Sequence, residues 1–265
     1  MYETQYHRAS SVQDAVSRMD AAGEGKYVSG GMTLIPTMKQ RLASPSDLID
    51  LRHIADMQGI SVNGRSVRIG AATTHYEVAS SAALKAVCPA ICSLASHIGD
   101  PHVRHMGTIG GSIANNDPAA DYPAAMLGLG ATIVTNRREI AADDFFTGLF
   151  ETALEDSEIV VAVSFDAPAK AAYQKFANPA SRYAMTGVFV AKRDNGEIRV
   201  AVTGAGANGV FRQAEMEAAL AANWTPDALG NISVDASELL SDIHADAAYR
   251  ANLVKVMAKR AVAAA

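Results

Sequence analysis

Two cysteines are all that this 265-residue chain contains. Cys88 and Cys92 lie four apart in an apolar, alanine-rich segment, a spacing that puts two small hydrophobes on one helix face and reads as core packing rather than a metal pair. No iron–sulfur cysteine pattern exists, so any such centre must sit on another subunit. No apolar run approaches the roughly 20 residues that span a bilayer. The first eight residues, from Met1 to Arg8, lack the basic and apolar regions of a signal peptide, and the expected location is the cytoplasm. Lysines and arginines do not cluster and the net charge is −5, which argues against a nucleic-acid partner. Neither the dinucleotide glycine fingerprint nor a Walker lysine and hydroxyl is present.

What is there is enough apolar sequence, 49% of residues against 19% charged, to bury a large core, and the length allows two lobes. Residues 99–121 stand out. They pack prolines, a paired glycine, acids and hydrogen-bonding side chains between apolar helical segments. That composition predicts neither helix nor strand but a loop whose main chain a phosphate could approach. His97, His102 and His105 flank its start, but Gly99 and Pro101 break any simple helical ligand spacing.

Helices are expected over residues 11–22, from 78 to 84, over 86–96 within the alanine-rich segment 82–96, and over 122–129, 212–223 and 246–263, and strands near 26–28, 47–51, 131–135, 158–165, 183–193 and 197–203. Residues 26–51 form a strand, a glycine turn at Gly30 and Gly31, a helix and a second strand; by itself that glycine pair reads equally well as an ordinary tight turn. Asn63 and Gly64 mark a hairpin. Thr74 and Glu77 have the spacing of a capping box, and residues 145–147 read as a loop-to-helix contact. Helices and strands do not alternate regularly, so the class is α+β rather than a doubly wound sheet. The proline-containing stretch 166–170 is the expected lobe boundary.

Three stretches carry a resemblance. Tyr27-Val-Ser-Gly-Gly-Met-Thr-Leu-Ile-Pro36, then Ile98-Gly-Asp-Pro-His-Val-Arg-His-Met-Gly-Thr-Ile-Gly-Gly-Ser-Ile-Ala-Asn-Asn-Asp-Pro-Ala-Ala-Asp121, and Tyr173-Gln-Lys-Phe176 with Ser181-Arg-Tyr-Ala184 resemble the FAD-binding medium subunit of molybdenum hydroxylases. The resemblance covers essentially the whole chain, in order. It implies a PCMH-type FAD-binding fold over residues 1–166, with α+β subdomains at about 1–55 and 56–166. A C-terminal antiparallel sheet-plus-helices domain would follow over 170–265.

By position in those motifs, the resemblance implies that Ser29, Gly30, Gly31, Met32 and Thr33 contact the FAD pyrophosphate. Thr108, Ile109, Gly110, Gly111 and Ser112 would form the second half of that cradle. Val28, Leu34, Ile98 and His102 are placed at the cofactor as well. Asp121 matches an acid that hydrogen-bonds the flavin, Lys175 a basic residue near the ring system and Val160 an apolar contact; Asp117 and Tyr183 complete the set. Two glycine pairs offering N–H groups would let an acidic protein hold an anionic cofactor. The bland alternative for Asp117 and Asp121 is a pair of Asx or proline turns, and for Lys175 a solvated strand lysine. Met32 stands where some relatives attach flavin through a histidine, so the FAD is expected to be non-covalent.

The implied role is electron relay within an oxidoreductase assembly, a heterotrimer or heterohexamer. A large molybdopterin-binding subunit would hydroxylate substrate, a small subunit with [2Fe-2S] clusters would pass electrons on, and FAD here would deliver them to an external acceptor. No residue of this chain need act as a catalytic acid or base, and no metal is expected on it. Two other readings are a free-standing flavin oxidoreductase of the same fold, for which the roughly 100 residues after the boundary leave little room for a substrate cap, and a non-enzymatic nucleotide-binding module.

Overall fold

The computed structural model describes residues 1–265. The chain begins with β1 (Gln5–Arg8), α1 (Val12–Ala21), β2 (Gly25–Val28), α2 (Leu34–Lys39) and β3 (Asp47–Asp50). Ser11 caps α1 by accepting from the Asp14 amide. The three strands form a parallel sheet in the order β1-β3-β2, so β3 enters between the two earlier strands. Parallel pairing needs a crossover rather than a hairpin. The crossover from β2 to β3 leaves the carboxyl end of β2 as the loop Ser29 to Thr33.

The next segment runs through β4 (Ile60–Asn63), β5 (Ser66–Gly70), α3 (His75–Ser80), α4 (Ala82–Val87), α5 (Pro89–Ser96), α6 (Pro101–Met106), α7 (Ile109–Asn115) and α8 (Tyr122–Leu129). It continues through β6 (Thr132–Thr135), β7 (Glu139–Ala141), α9 (Ala142–Phe145), β8 (Phe146–Gly148), β9 (Glu151–Thr152) and β10 (Val160–Asp166). Its five-stranded antiparallel sheet has the order β4-β5-β10-β6-β7, with β10 in the centre, and β8 and β9 form a separate pair. The hairpin turn is centred on Gly64 and Arg65, because Asn63 already pairs with Ser66. The capping box at Thr74 and Glu77 is complete in both directions.

Three expectations are corrected here. The break expected between residues 84 and 86 falls instead at Cys88, since Pro89 starts α5 and forces Cys88 out of helical geometry (φ −145, ψ 73), and α3 and α4 divide the run before it. Residues 145–147 end α9 and start β8 instead of leading into a helix. Most consequentially, 99–121 is not one loop. Asp100 and Thr108 each cap a short helix, accepting from the Val103 and Gly111 amides, so local capping and packing override the glycine and proline content.

The last segment holds β11 (Lys170–Ala177), β12 (Ala184–Lys192), β13 (Ile198–Thr203), β14 (Phe211–Arg212), α10 (Ala214–Ala222) and α11 (Ala247–Ala264), the strands forming one antiparallel sheet in chain order. Nearly all of β12 is buried because both faces of this sheet are covered. Val188, Val190, Val200 and Val202 pack with Met216, Leu220, Val254 and Met257 from α10 and α11. The alternate residues Tyr173, Phe189, Ala191 and Ala201 join the larger core, which also contains Ile49, Val163 and Leu127. Strand periodicity of two thus makes one sheet serve two cores. No helix is long and apolar enough to cross a membrane.

Candidate functional site, a cleft with a free main-chain cradle

A cavity of about 1060 Å³ is lined from all three segments. Its first wall is the loop after β2. The N–H groups of Gly30, Gly31, Met32, Thr33 and Leu34 have no acceptor within the chain. Five successive donors at a cavity wall are thus left to solvent or to a ligand, and the array they make is suited to an anion. Gly31 has φ +69, a conformation that side chains seldom take. At Gly30 a Cβ would run into the Met106 carbonyl, so this loop lies hard against the junction of α6 and α7.

The facing wall is the start of α7, and there the expectation of a matching set of free amides is not met. Ile109 N–H donates to the Thr73 carbonyl (3.1 Å) and Gly110 N–H to the Ala71 carbonyl (2.9 Å). Gly111 and Ser112 amides are satisfied by Thr108, through its hydroxyl and its carbonyl. Ile109 is fully buried in the core and does not line the cavity. Gly110 is small because it packs against Ala71, not because a ligand approaches it. Gly111 does open onto the cavity, with only Thr108 Oγ1 at 3.0 Å and Ser29 Cβ at 3.9 Å near its Cβ direction. Ser29 Oγ and Thr108 Oγ1, 3.0 Å apart, tie the two walls together.

At the inner end lies Asp121. Thr203 Oγ1 donates to the Ala120 carbonyl (2.6 Å) and Gly204 N–H to the Pro118 carbonyl (2.9 Å), which pins 118–121 to the end of β13. Lys175 Nζ on β11 reaches Asp121 Oδ2 at 2.9 Å and the His97 carbonyl at 3.3 Å. With 6% of its side chain exposed, Lys175 is no solvated strand lysine. Burial raises the Asp121 carboxyl above its usual range, against the pull of the Lys175 ammonium and the Tyr173 hydroxyl. Asp117, by contrast, does form an Asx turn, accepting from Ala119 N–H at 2.8 Å, while still lining the cavity.

Of the residues named from sequence, Val28, Ser29, Gly30, Gly31, Met32, Thr33, Leu34, Ile98, Thr108, Gly110, Gly111, Ser112, Asp117, Asp121, Val160, Lys175 and Tyr183 all border this cavity. His102 does not; it lies on α6, outside the lining. Sequence reasoning missed the far end, formed by the turn after α1 around Gly23 and the segment from Leu154 to Ile159. Glu158 organises that segment. Burial would raise its pKa, but hydrogen bonds from Arg138, the Glu155 amide and the Thr135 hydroxyl hold it down to about 2. His75 was also missed. Burial, with help from the Arg104 charge, pushes its pKa down to about 4, so its ring is a neutral part of the wall.

Residues 2–168 match the FAD binding domain of molybdopterin dehydrogenases. The chain belongs to that family. It is 34% identical to the carbon monoxide dehydrogenase medium chain of Hydrogenophaga pseudoflava, over 98% of this chain and 96% of that one. The solved carbon monoxide dehydrogenase of the same organism, in a form lacking the molybdenum-pyranopterin moiety, superposes with a TM-score of 0.87 over 99% of this chain and 97% of the other. The nicotine 6-hydroxylase medium subunit of Paenarthrobacter nicotinovorans is 31% identical over 97% and 95% of the two chains. Quinoline 2-oxidoreductase of Pseudomonas putida 86 matches with a TM-score of 0.84 at 26% identity, covering 99% and 96%. The α+β fold and the assignment to the flavoprotein subunits of oxidoreductases follow from these likenesses.

Proposed function

We propose that this chain is the electron-relay subunit of a molybdenum hydroxylase, taking electrons from iron–sulfur clusters on a small partner subunit and passing them through FAD to an external acceptor. Substrate would be hydroxylated on a large molybdopterin subunit. The observation that carries the reading is the run of unpaired N–H groups from Gly30 to Leu34 at a cavity long enough to reach from Gly23 to Lys175. A diphosphate laid on that run would satisfy donors that nothing else in the chain satisfies. Thr108, Gly111 and Ser112 would close over it from α7, as surface and hydroxyl more than as free amides.

Bound there, FAD would supply a carrier that exchanges electrons singly or in pairs, while the protein sets its position and surroundings. Asp121 and Lys175 would meet the polar edge of the ring system, Val160 its apolar side, and Tyr183 would cover it at the cavity mouth. The flavin-holding unit would be residues 1–166, divided near residue 55, with 170–265 closing the cavity from the other side. Near-complete coverage of relatives named as medium chains favours a subunit over a free-standing oxidase. Those relatives' names carry unrelated substrates, carbon monoxide and nicotine, which fits a substrate pocket on another chain.

The test is the visible spectrum of the purified chain, alone and co-expressed with its genomic neighbours, followed by acid release of the cofactor. Release of free FAD, with iron–sulfur absorption only in the co-expressed complex, supports the relay subunit. A chain that stays colourless with added FAD in both preparations overturns it.

A further inference from the structure

We infer that Tyr173 is a positioning residue: its hydroxyl, donating to Asp121 Oδ1 while Lys175 Nζ holds Oδ2, fixes the Asp121 carboxyl at the cavity wall and favours its ionised form against the burial that opposes it. Asp121 borders the cavity and Tyr173 does not. Tyr173 is 3% exposed and lies behind the wall, so anything it does for a ligand it does through Asp121. The placement is built on both sides. Residues 173 and 175 are two apart on β11, and strand periodicity sends both side chains to one face, where they meet the two oxygens of a single carboxylate. Across the sheet Tyr173 pairs with Phe189, and a Cβ on Gly187 would collide with the Tyr173 hydroxyl. Glycine at 187 is therefore what leaves room for this hydrogen bond.

The proton inventory follows from the partners. Tyr173 has Asp121 as its one side-chain partner, and burial with the neighbouring carboxylate puts its own ionisation far above the ordinary range. It is a permanent donor, and a permanent donor on one oxygen with an ammonium on the other stabilises the anion in a setting that otherwise disfavours charge. The other titratable groups facing Asp121 are His97 beyond the end of α5, Tyr183 ahead of β12 and the adjacent Tyr122. Only Tyr173 and Lys175 hydrogen-bond its side chain. The consequence for bound flavin rests on the FAD reading above; the consequence for Asp121 does not.

The experiment compares the full-length chain with Tyr173→Phe and Gly187→Ala, following the Asp121 carboxyl by 13C NMR without cofactor and assigning it with Asp121→Asn. Phenylalanine keeps the ring contact with Phe189 and removes only the donor. The expected result is an Asp121 titration raised by about one unit or more in Tyr173→Phe, with Gly187→Ala shifted the same way. In FAD-loaded protein the pH at which the flavin reduction potential changes slope should move by the same amount. An Asp121 titration in Tyr173→Phe that matches the parent chain overturns the inference and leaves Tyr173 as core packing. Should Gly187→Ala fail to fold, Tyr173→Phe decides alone. A parent chain that takes up no FAD overturns the proposed function, while the cofactor-free titrations still decide the role of Tyr173.

Discussion

Ser29 and Thr108 touch through their hydroxyls, 3.0 Å apart, across 79 residues of sequence. The contact joins the loop with the run of free amides to the first turn of α7, where the amides from Ile109 to Ser112 are all paired. Thr108 is the helix cap as well, so the same side chain that orders α7 also sets its distance from the cradle. The two glycine stretches are in this way one wall-to-wall feature with unequal halves.

That inequality separates the glycines of α7. Gly111→Val should cost less stability than Gly110→Val, its Cβ crowding only the Thr108 hydroxyl at 3.0 Å, and weaken FAD binding by tenfold or more, because the added side chain projects toward the cavity. Gly110→Val should unfold the protein more readily, by about 1–3 kcal/mol, because it is forced against Ala71. Flavin titration and urea unfolding on the two variants check this pair of outcomes.

Removing Lys175 alone leaves a buried carboxylate without its cation. Lys175→Met should cost about 3 kcal/mol at neutral pH, and adding Asp121→Asn to it should recover part of the loss. Urea midpoints of the parent, single and double variants are the measurement; a Lys175→Met midpoint equal to the parent's would show that the ion pair contributes nothing there, and equal single and double variants that the lone carboxylate carries no penalty.

Two groups make the chain acid-sensitive in separate windows. His75 binds a proton at about 4 in the folded protein against 6.5 as its ordinary value, so the unfolded chain binds more protons between those values and stability falls as pH drops from 6.5 to 4. Glu158, held at about 2 against 4.5, costs stability as pH drops from 4.5 to 2. At about 1.4 kcal/mol per unit, the His75 window is worth about 3 kcal/mol. Glu158 is worth nearer 2 kcal/mol, its partner Arg138 being solvent-screened. His75→Gln should flatten the first limb of a stability-versus-pH curve and Glu158→Gln the second.

Cys88 and Cys92 are buried and free, and burial pushes both thiols up to about 11. Iodoacetamide at pH 8 should label neither in the native chain and both in urea, with mass spectrometry reading the count. Rapid native labelling would mean that the helices on either side of Pro89 open readily.

Local patterns were enough for a good deal of this molecule. Apolar spacing, the Thr74 and Glu77 box, the hairpin near Gly64 and the glycine turn after residue 28 rest on contacts within a few residues, and these are legible in sequence order. The motifs carried the family, and with it the residues of the near walls of the cavity, apart from Ile109 and His102, which stand outside the lining. Tertiary structure alone decided which backbone donors remain free. Gly30 and Gly110 look alike as letters, yet the Ala71 carbonyl takes the amide of one and no group in the chain takes that of the other. It decided too that residues 99–121 hold two capped helices, that Lys175 is buried, and that Tyr173 stands behind Asp121. Each of these depends on a partner some 40 or more residues away or on the packing around the segment. Hydrogen-bond satisfaction is a property of the assembled fold, and no local pattern contains it.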